Sequence, residues 1–102
     1  MYPFSERYRV AAEKWCDLEY AASALEESKS SVMAQRQTMM GDIPVNRAEQ
    51  MVKSSVFWKD YIESMVRARQ AANLAKVQME YEKLRFYEAQ SRSANARAEM
   101  KL

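Results

Sequence analysis

The chain has 102 residues, 48% hydrophobic and 29% charged, with one glycine and two prolines. It is therefore one domain at most, and hairpin-rich β folds and glycine-rich phosphate loops, whose turns need residues at positive φ, are disfavoured. With no histidine and one cysteine, there is no Ser-His-Asp or Cys-His nucleophile, no His-Cys zinc cluster and no disulfide within the chain. The net charge of +2 is too small to argue for nucleic acid by itself.

In chain order, Met1-Tyr2-Pro3-Phe4-Ser5 lacks the basic and apolar regions of a leader. No apolar run approaches the roughly 20 residues needed to cross a bilayer, so the expected location is cytoplasmic, with no membrane contact. Pro3 with Ser5 marks the start of a helix over about 5–40. Its seam is Tyr8, Ala11, Trp15, Leu18, Ala22, Leu25, Lys29, Val32, Arg36 and Met39, in strict 4-3 spacing, with Trp15, Leu18 and Leu25 as anchors. Lys29 and Arg36 loosen the seam toward its end, because a charged head there needs water or an acidic partner. Cys16, beside Trp15, reads as a reduced and partly buried small residue.

Punctuation gathers at Met40-Gly41-Asp42-Ile43-Pro44-Val45-Asn46. Gly41 suits the left-handed position after a helix, Pro44 prevents continuation, and Asn46 with Glu49 reads as a capping box. The turn is therefore 41–46, and a second helix runs over about 47–100. Met51, Ser55, Trp58, Ile62 and Met65 hold one 4-3 stripe, and Leu74, Val77, Tyr81 and Leu84 hold another in a different phase. The stripe drifts by a stutter, or the helix bends near residues 70–73 and folds the tail back as a third helix. Alanines 68, 71, 72 and 75 in this transition either admit a close backbone or, more plainly, serve as good helix formers. Met39, Met40, Met51 and Met65 cluster around the turn as adaptable packing or a partner surface.

The expected fold is all-α, an antiparallel, coiled-coil-like helical hairpin whose second helix is longer. At 1.5 Å per residue the helices span about 54 and about 80 Å, leaving some 20 residues from Lys83 onward without an intrachain partner. Leu84, Phe86 and Tyr87 lie in that overhang. A two-helix layer also has too little interior for eleven aromatic residues and eight methionines, so self-association into a homo-oligomer or a protein partner is expected to cover the remainder.

Chemistry finds no support in the spacing. Lys59 with Glu63, Glu63 with Arg67, Lys76 with Glu80, and Glu88 with Arg92 are helix-surface pairs, and Glu26 and Glu27 diverge around the helix. No catalytic residue, metal ligand, cofactor site or small-molecule substrate is assigned. Residues 1–50 carry six bases and eight acids, and residues 51–102 carry ten bases and six acids. That asymmetry reads as two helices that attract each other, or as a weakly basic arm for an acidic partner. Lys83, Arg85, Arg92, Arg97 and Lys101 with Phe86 and Tyr87 combine the cations and rings of single-strand nucleic-acid binding, interrupted by Glu82, Glu88 and Glu99. Phe57, Trp58 and Tyr61 form the densest aromatic group. Trp58 joins Ile62 as a seam anchor, and Phe57 and Tyr61 can anchor a second chain.

Leu25-Glu26-Glu27-Ser28-Lys29 with Ala34, Tyr61, Glu88-Ala89-Gln90-Ser91-Arg92 and Arg97-Ala98-Glu99-Met100 give the chain a pattern that resembles small phage and prophage helical-hairpin proteins, over about two-thirds of its length. Its aromatic N-terminus and Phe57-Trp58 depart from that pattern. The resemblance implies a non-enzymatic accessory protein encoded among recombination and replication genes. Three functions follow as expectations. The first is protein contact in or beside a DNA recombination or replication assembly, through Phe57, Tyr61, Phe86 and Tyr87 with Arg85 and Arg92 steering. The second is single-stranded nucleic-acid binding by the C-terminal segment. The third is inhibition of a host defence or nuclease complex.

Overall fold

A computed structural model describes residues 3–101; Met1 and Tyr2, the first residues of the stretch expected to lack a leader, lie outside them. Three helices follow in order: α1 (Phe4–Met39), α2 (Val45–Lys53) and α3 (Val56–Met100), with no strand among the described residues. The fold is an all-α hairpin in which α1 and α3 run antiparallel. Arg7 meets Glu82, Tyr8 meets Phe86, Trp15 meets Lys76, Leu25 meets Tyr61, and Arg36 meets Phe57. From the start of α1 to its end, the contacts run along α3 from the Glu82–Phe86 stretch back to Phe57.

Pro3 opens α1 and its carbonyl accepts from the Arg7 N–H at 3.0 Å. Glu6 in the first turn and Arg36 in the last complement the helix dipole. Gly41 ends the helix as expected, at φ 84, a left-handed conformation that costs an L side chain roughly 1–2 kcal/mol. The second helix departs from expectation at both ends. It begins at Val45 with Pro44 as its cap, and no side-chain capping bond forms; Glu49 instead pairs with Lys53 at 2.8 Å. It then stops after nine residues. The Ser54 hydroxyl donates to the carbonyls of Gln50 and Met51, and the Ser55 hydroxyl donates to that of Val52 at 2.6 Å. Ser55 then accepts from the Trp58 N–H at 3.2 Å as the N-cap of α3. The interruption of the expected 47–100 helix thus lies at residues 54–55, and α3 is continuous through 70–73. The break lets α2 turn Ala48 and Val52 inward against the end of the hairpin.

Along α1 the expected seam holds: Tyr8, Ala11, Trp15, Leu18, Leu25, Val32 and Arg36 are half-buried and Ala22 is fully buried. Lys29 and Met39 are exposed, as is Cys16, which faces away from the seam. The α3 seam differs from the expected two-phase stripe. Trp58, Tyr61, Met65, Ala68, Ala72, Ala75, Met79, Glu82, Phe86 and Ala89 are all buried or half-buried, in an unbroken 3-4 alternation. Ile62 flanks this line and is half-buried. Leu74, Val77, Tyr81 and Leu84 are exposed; they belong to the opposite side of α3.

Of the transition alanines, Ala72 is 0% exposed and Ala75 7% exposed, while Ala68 and Ala71 are half-buried; Ala22 of α1 is also 0% exposed. The result is a thin rod. Its principal extents are 83 × 22 × 16 Å and its radius of gyration is 23.0 Å, against about 13 Å for a compact chain of this length. The overhang is also shorter and more polar than expected. Phe86 still packs on Tyr8 and Arg85 on Phe4, and only from residue 90 onward is every described residue exposed. Of the methionines expected around the turn, Met39 and Met51 are exposed and Met40 and Met65 are half-buried; the buried methionine is Met79, farther along α3.

Three substitutions test this packing by urea denaturation. Ala72→Leu overfills a fully buried site and lowers stability by about 1–3 kcal/mol, whereas Ala94→Leu, on the exposed tail, changes it by less than about 0.5 kcal/mol. Ser55→Ala removes the α3 cap and costs about 0.5–2 kcal/mol.

Candidate protein-interaction site

Four of the six expected contact residues are occupied within the hairpin. The Tyr61 hydroxyl donates to the Leu25 carbonyl at 2.5 Å, and its ring stacks on Trp58 at 5.5 Å. The Phe57 ring lies under the Arg36 guanidinium, 3.4 Å from its centroid. That stacking explains how a cation is tolerated in the α1 seam. Arg85 sits between two rings, Phe4 at 5.1 Å and Tyr81 at 5.7 Å. Phe86 packs on Tyr8 and Tyr87. Tyr87 is half-exposed and Arg92 lies free on the tail. The structure therefore does not bring the six together as one surface.

The polar anchors of the hairpin are ones that sequence spacing did not reveal. Arg69 donates from Nε and Nη2 to both oxygens of Glu26, at 2.9 and 2.6 Å, and from Nη1 to Glu19 at 2.5 Å. Nη2 also reaches the Ser23 hydroxyl at 3.5 Å. This planar fork clamps two turns of α1 to one turn of α3, a geometry that lysine cannot reproduce. The hydrogen bonds from Arg69 hold the Glu26 carboxyl below its ordinary value of 4.5, and the acids raise Arg69 in turn. Of the four expected helix-surface pairs, Glu63 with Arg67 forms, at 2.5 Å. Glu82 occupies a seam position and is 4% exposed. Its Oε1 accepts from Gln78 at 3.2 Å and from Arg7 at 3.5 Å, and its Oε2 has no partner.

Among the described residues no group of three metal-ligating side chains converges, and the donors of Arg69 are taken up in holding two helices together. No helix among the described residues is long and apolar enough to cross a membrane.

What the hairpin leaves bare is the back of α3. Leu74, Val77 and Leu84 are each more than 60% exposed and Tyr81 is 51% exposed. At 100° per residue they point nearly opposite Met79, which lies in the seam with α1. The long helix thus has two apolar seams on opposite sides, and α1 covers one. The second was visible in the sequence as an out-of-phase stripe, and its phase is what separates it from the core.

No protein-family model, curated protein or solved structure matches this chain.

The Arg69 fork predicts a specific response to acid. Because Glu26 is held below its ordinary range in the folded state, the unfolded chain binds that proton first as the pH falls. The contribution is complete above about pH 4.5 and is lost as the pH drops through the lower folded value. Arg69→Met should therefore lower the urea midpoint clearly at pH 7, and the gap from the parent chain should narrow at pH 3.

Proposed function

We propose that this chain is a non-enzymatic interaction module that works by protein contact, as a homo-oligomer or with a protein partner, through the outer face of α3. The observation that supports this is the exposed stripe Leu74, Val77, Tyr81 and Leu84. Large aliphatic and aromatic side chains repeated at helical spacing, on a rod with no other core to join, favour a second helix as their cover. The resemblance to phage hairpin proteins supports a setting in or beside a DNA recombination or replication assembly. Tyr87 and Arg92 border the stripe and are available to a partner. Phe57, Tyr61 and Phe86 serve the hairpin instead.

Single-strand nucleic-acid binding is the weaker reading. Arg85 and Phe86, two of its main ingredients, are engaged with Phe4 and Tyr8, and the exposed tail cations alternate with Glu88 and Glu99. An oligonucleotide mobility shift at low salt should show no complex. A salt-sensitive shift lost in Arg85→Ala with Arg92→Ala would favour nucleic acid.

The contact reading is tested with the purified chain and a Val77→Glu, Leu84→Glu variant, whose substitutions fall at exposed sites and leave helical content unchanged by circular dichroism. The parent should self-associate in sedimentation or hold a stable complex in a pull-down from host lysate, and the variant should lose either. A parent that does neither, or a variant that keeps both, overturns the reading. A host nuclease or defence protein retained through this face would assign the module an inhibitory role.

A further inference from the structure

We infer that the outer face of α3 pairs with the same face of a second copy, the two long helices running antiparallel about a two-fold axis beside residue 79. This rests on the contact reading above and names its partner. The apolar stripe spans residues 74–84, and α3 spans Val56–Met100, so the middle of the stripe lies within about one residue of the middle of the helix. An antiparallel pair centred there overlaps the two α3 helices along nearly their whole length, about 67 Å at 1.5 Å per residue.

Charge selects this orientation over the parallel one. Extending the 4-3 spacing of the stripe in both directions places Asp60, Glu63, Arg67, Gln70, Glu88, Ser91, Asn95 and Ala98 on the same line of α3. In a parallel pair each of these residues faces itself. Asp60, Glu63, Arg67 and Glu88 would then form four like-charged layers, and like charges at a seam repel. In the antiparallel pair Leu74 faces the second copy's Leu84, and Val77 faces its Tyr81. Beyond them Gln70 faces Glu88, Arg67 faces Ser91, Glu63 faces Asn95, and Asp60 faces Ala98. No seam layer holds two like charges, and three pair an ionised group with a hydroxyl or amide able to hydrogen-bond to it.

The second copy also covers the tail. Residues 90–100 project past the beginning of α1 and are exposed throughout; in the antiparallel pair they lie along the first three turns of the opposite α3. The assembly is a row of four helices, α1 and α3 of one copy followed by α3 and α1 of the other, since the outer stripe on average points away from α1, with Leu74 at the rim of a groove shared with Ala11, Lys14 and Leu18. Arg69, Glu19 and Glu26 remain inside each hairpin and are undisturbed.

The orientation is tested by charge substitution at the paired leucines, read by sedimentation equilibrium at tens of micromolar. The parent chain should be dimeric. Leu74→Glu and Leu84→Lys should each be monomeric, with the helical content of the parent, because both sites are exposed in the hairpin. Mixed one to one, they should form a heterodimer, since the introduced carboxylate of one variant then faces the introduced ammonium of the other across one layer, while the remaining Leu84 and Leu74 meet across the other. In a parallel pair mixing would only remove the like-charge layers, setting the carboxylate and the ammonium each against a leucine in separate layers with no ion pair formed. A monomeric parent overturns self-association and leaves the contact reading to be decided by the host pull-down. Dimers that persist in both variants, or variants that dissociate and stay apart on mixing, overturn the antiparallel pairing.

Discussion

The seam between α1 and α3, in which Ala22, Ala72 and Ala75 are buried, governs the rest of the molecule. In the middle, small α3 residues such as Ala72 and Ala75 are buried opposite the α1 seam of Trp15, Leu18 and Leu25, and larger groups meet each other toward the ends. Trp58 and Tyr61 stack at one end, and Phe4, Tyr8, Arg85 and Phe86 gather at the other. A layer made of two helices buries one stripe on each, and the narrowest extent of the rod, 16 Å, leaves no room for a second. Large apolar residues outside the two facing stripes are consequently exposed, which is why Leu74, Val77, Tyr81 and Leu84 stand on the surface of so short a chain.

The charge asymmetry between the halves of the sequence becomes specific in the same seam. Arg69 of the basic half takes Glu19 and Glu26 of the acidic half, and the fork sits one turn from the buried alanines, where a misaligned helix pair would separate its groups. Arg36 and Arg85 are used differently, over aromatic faces, and this gives cations at or beside the seam a partner without needing a carboxylate. Glu82 is the exception. A buried carboxylate with one unpartnered oxygen is a weak source of stability; its better-attested use is to penalise other registers, in which the contact with Arg7 would be lost.

Most of the hairpin was legible because its signals are local. Gly41 and Pro44 mark the turn by backbone geometry alone, and the 4-3 spacing from Tyr8 to Leu25 needs no knowledge of the partner helix. Of the misread parts, the break at Ser54-Ser55 is local and ambiguous, and the others depend on distance in the chain. Ser54-Ser55 can be exposed helix or helix end, and the backbone carbonyls chosen by their hydroxyls decide which. Likewise the α3 seam passes through Ala68, Ala72 and Ala75, residues too small to register as hydrophobic, while the bulkier Leu74 and Val77 beside them draw attention to the opposite face. Arg69 could not be paired by spacing, because its acids lie 43 and 50 residues away. Phe57, Tyr61, Arg85 and Phe86 are aromatic and cationic residues of the kind found at interfaces, and the hairpin uses them as its own interface.

The tail of α3 carries the last consequence of the unequal helices. Residues 90–100 are helical without any neighbour in the hairpin, and an isolated helix of that length is marginal in water even when rich in alanine. It is sustained here by continuity with the packed part of α3, which has already met the cost of nucleation, and by Ala94, Ala96 and Ala98 as strong helix formers. Its line of Glu88, Ser91, Asn95 and Ala98 is too polar to require burial and too regular in its small and hydrogen-bonding groups to resist a neighbour. That balance suits the proposed pairing, in which the apolar middle of α3 would supply the attraction and the polar ends would select the orientation.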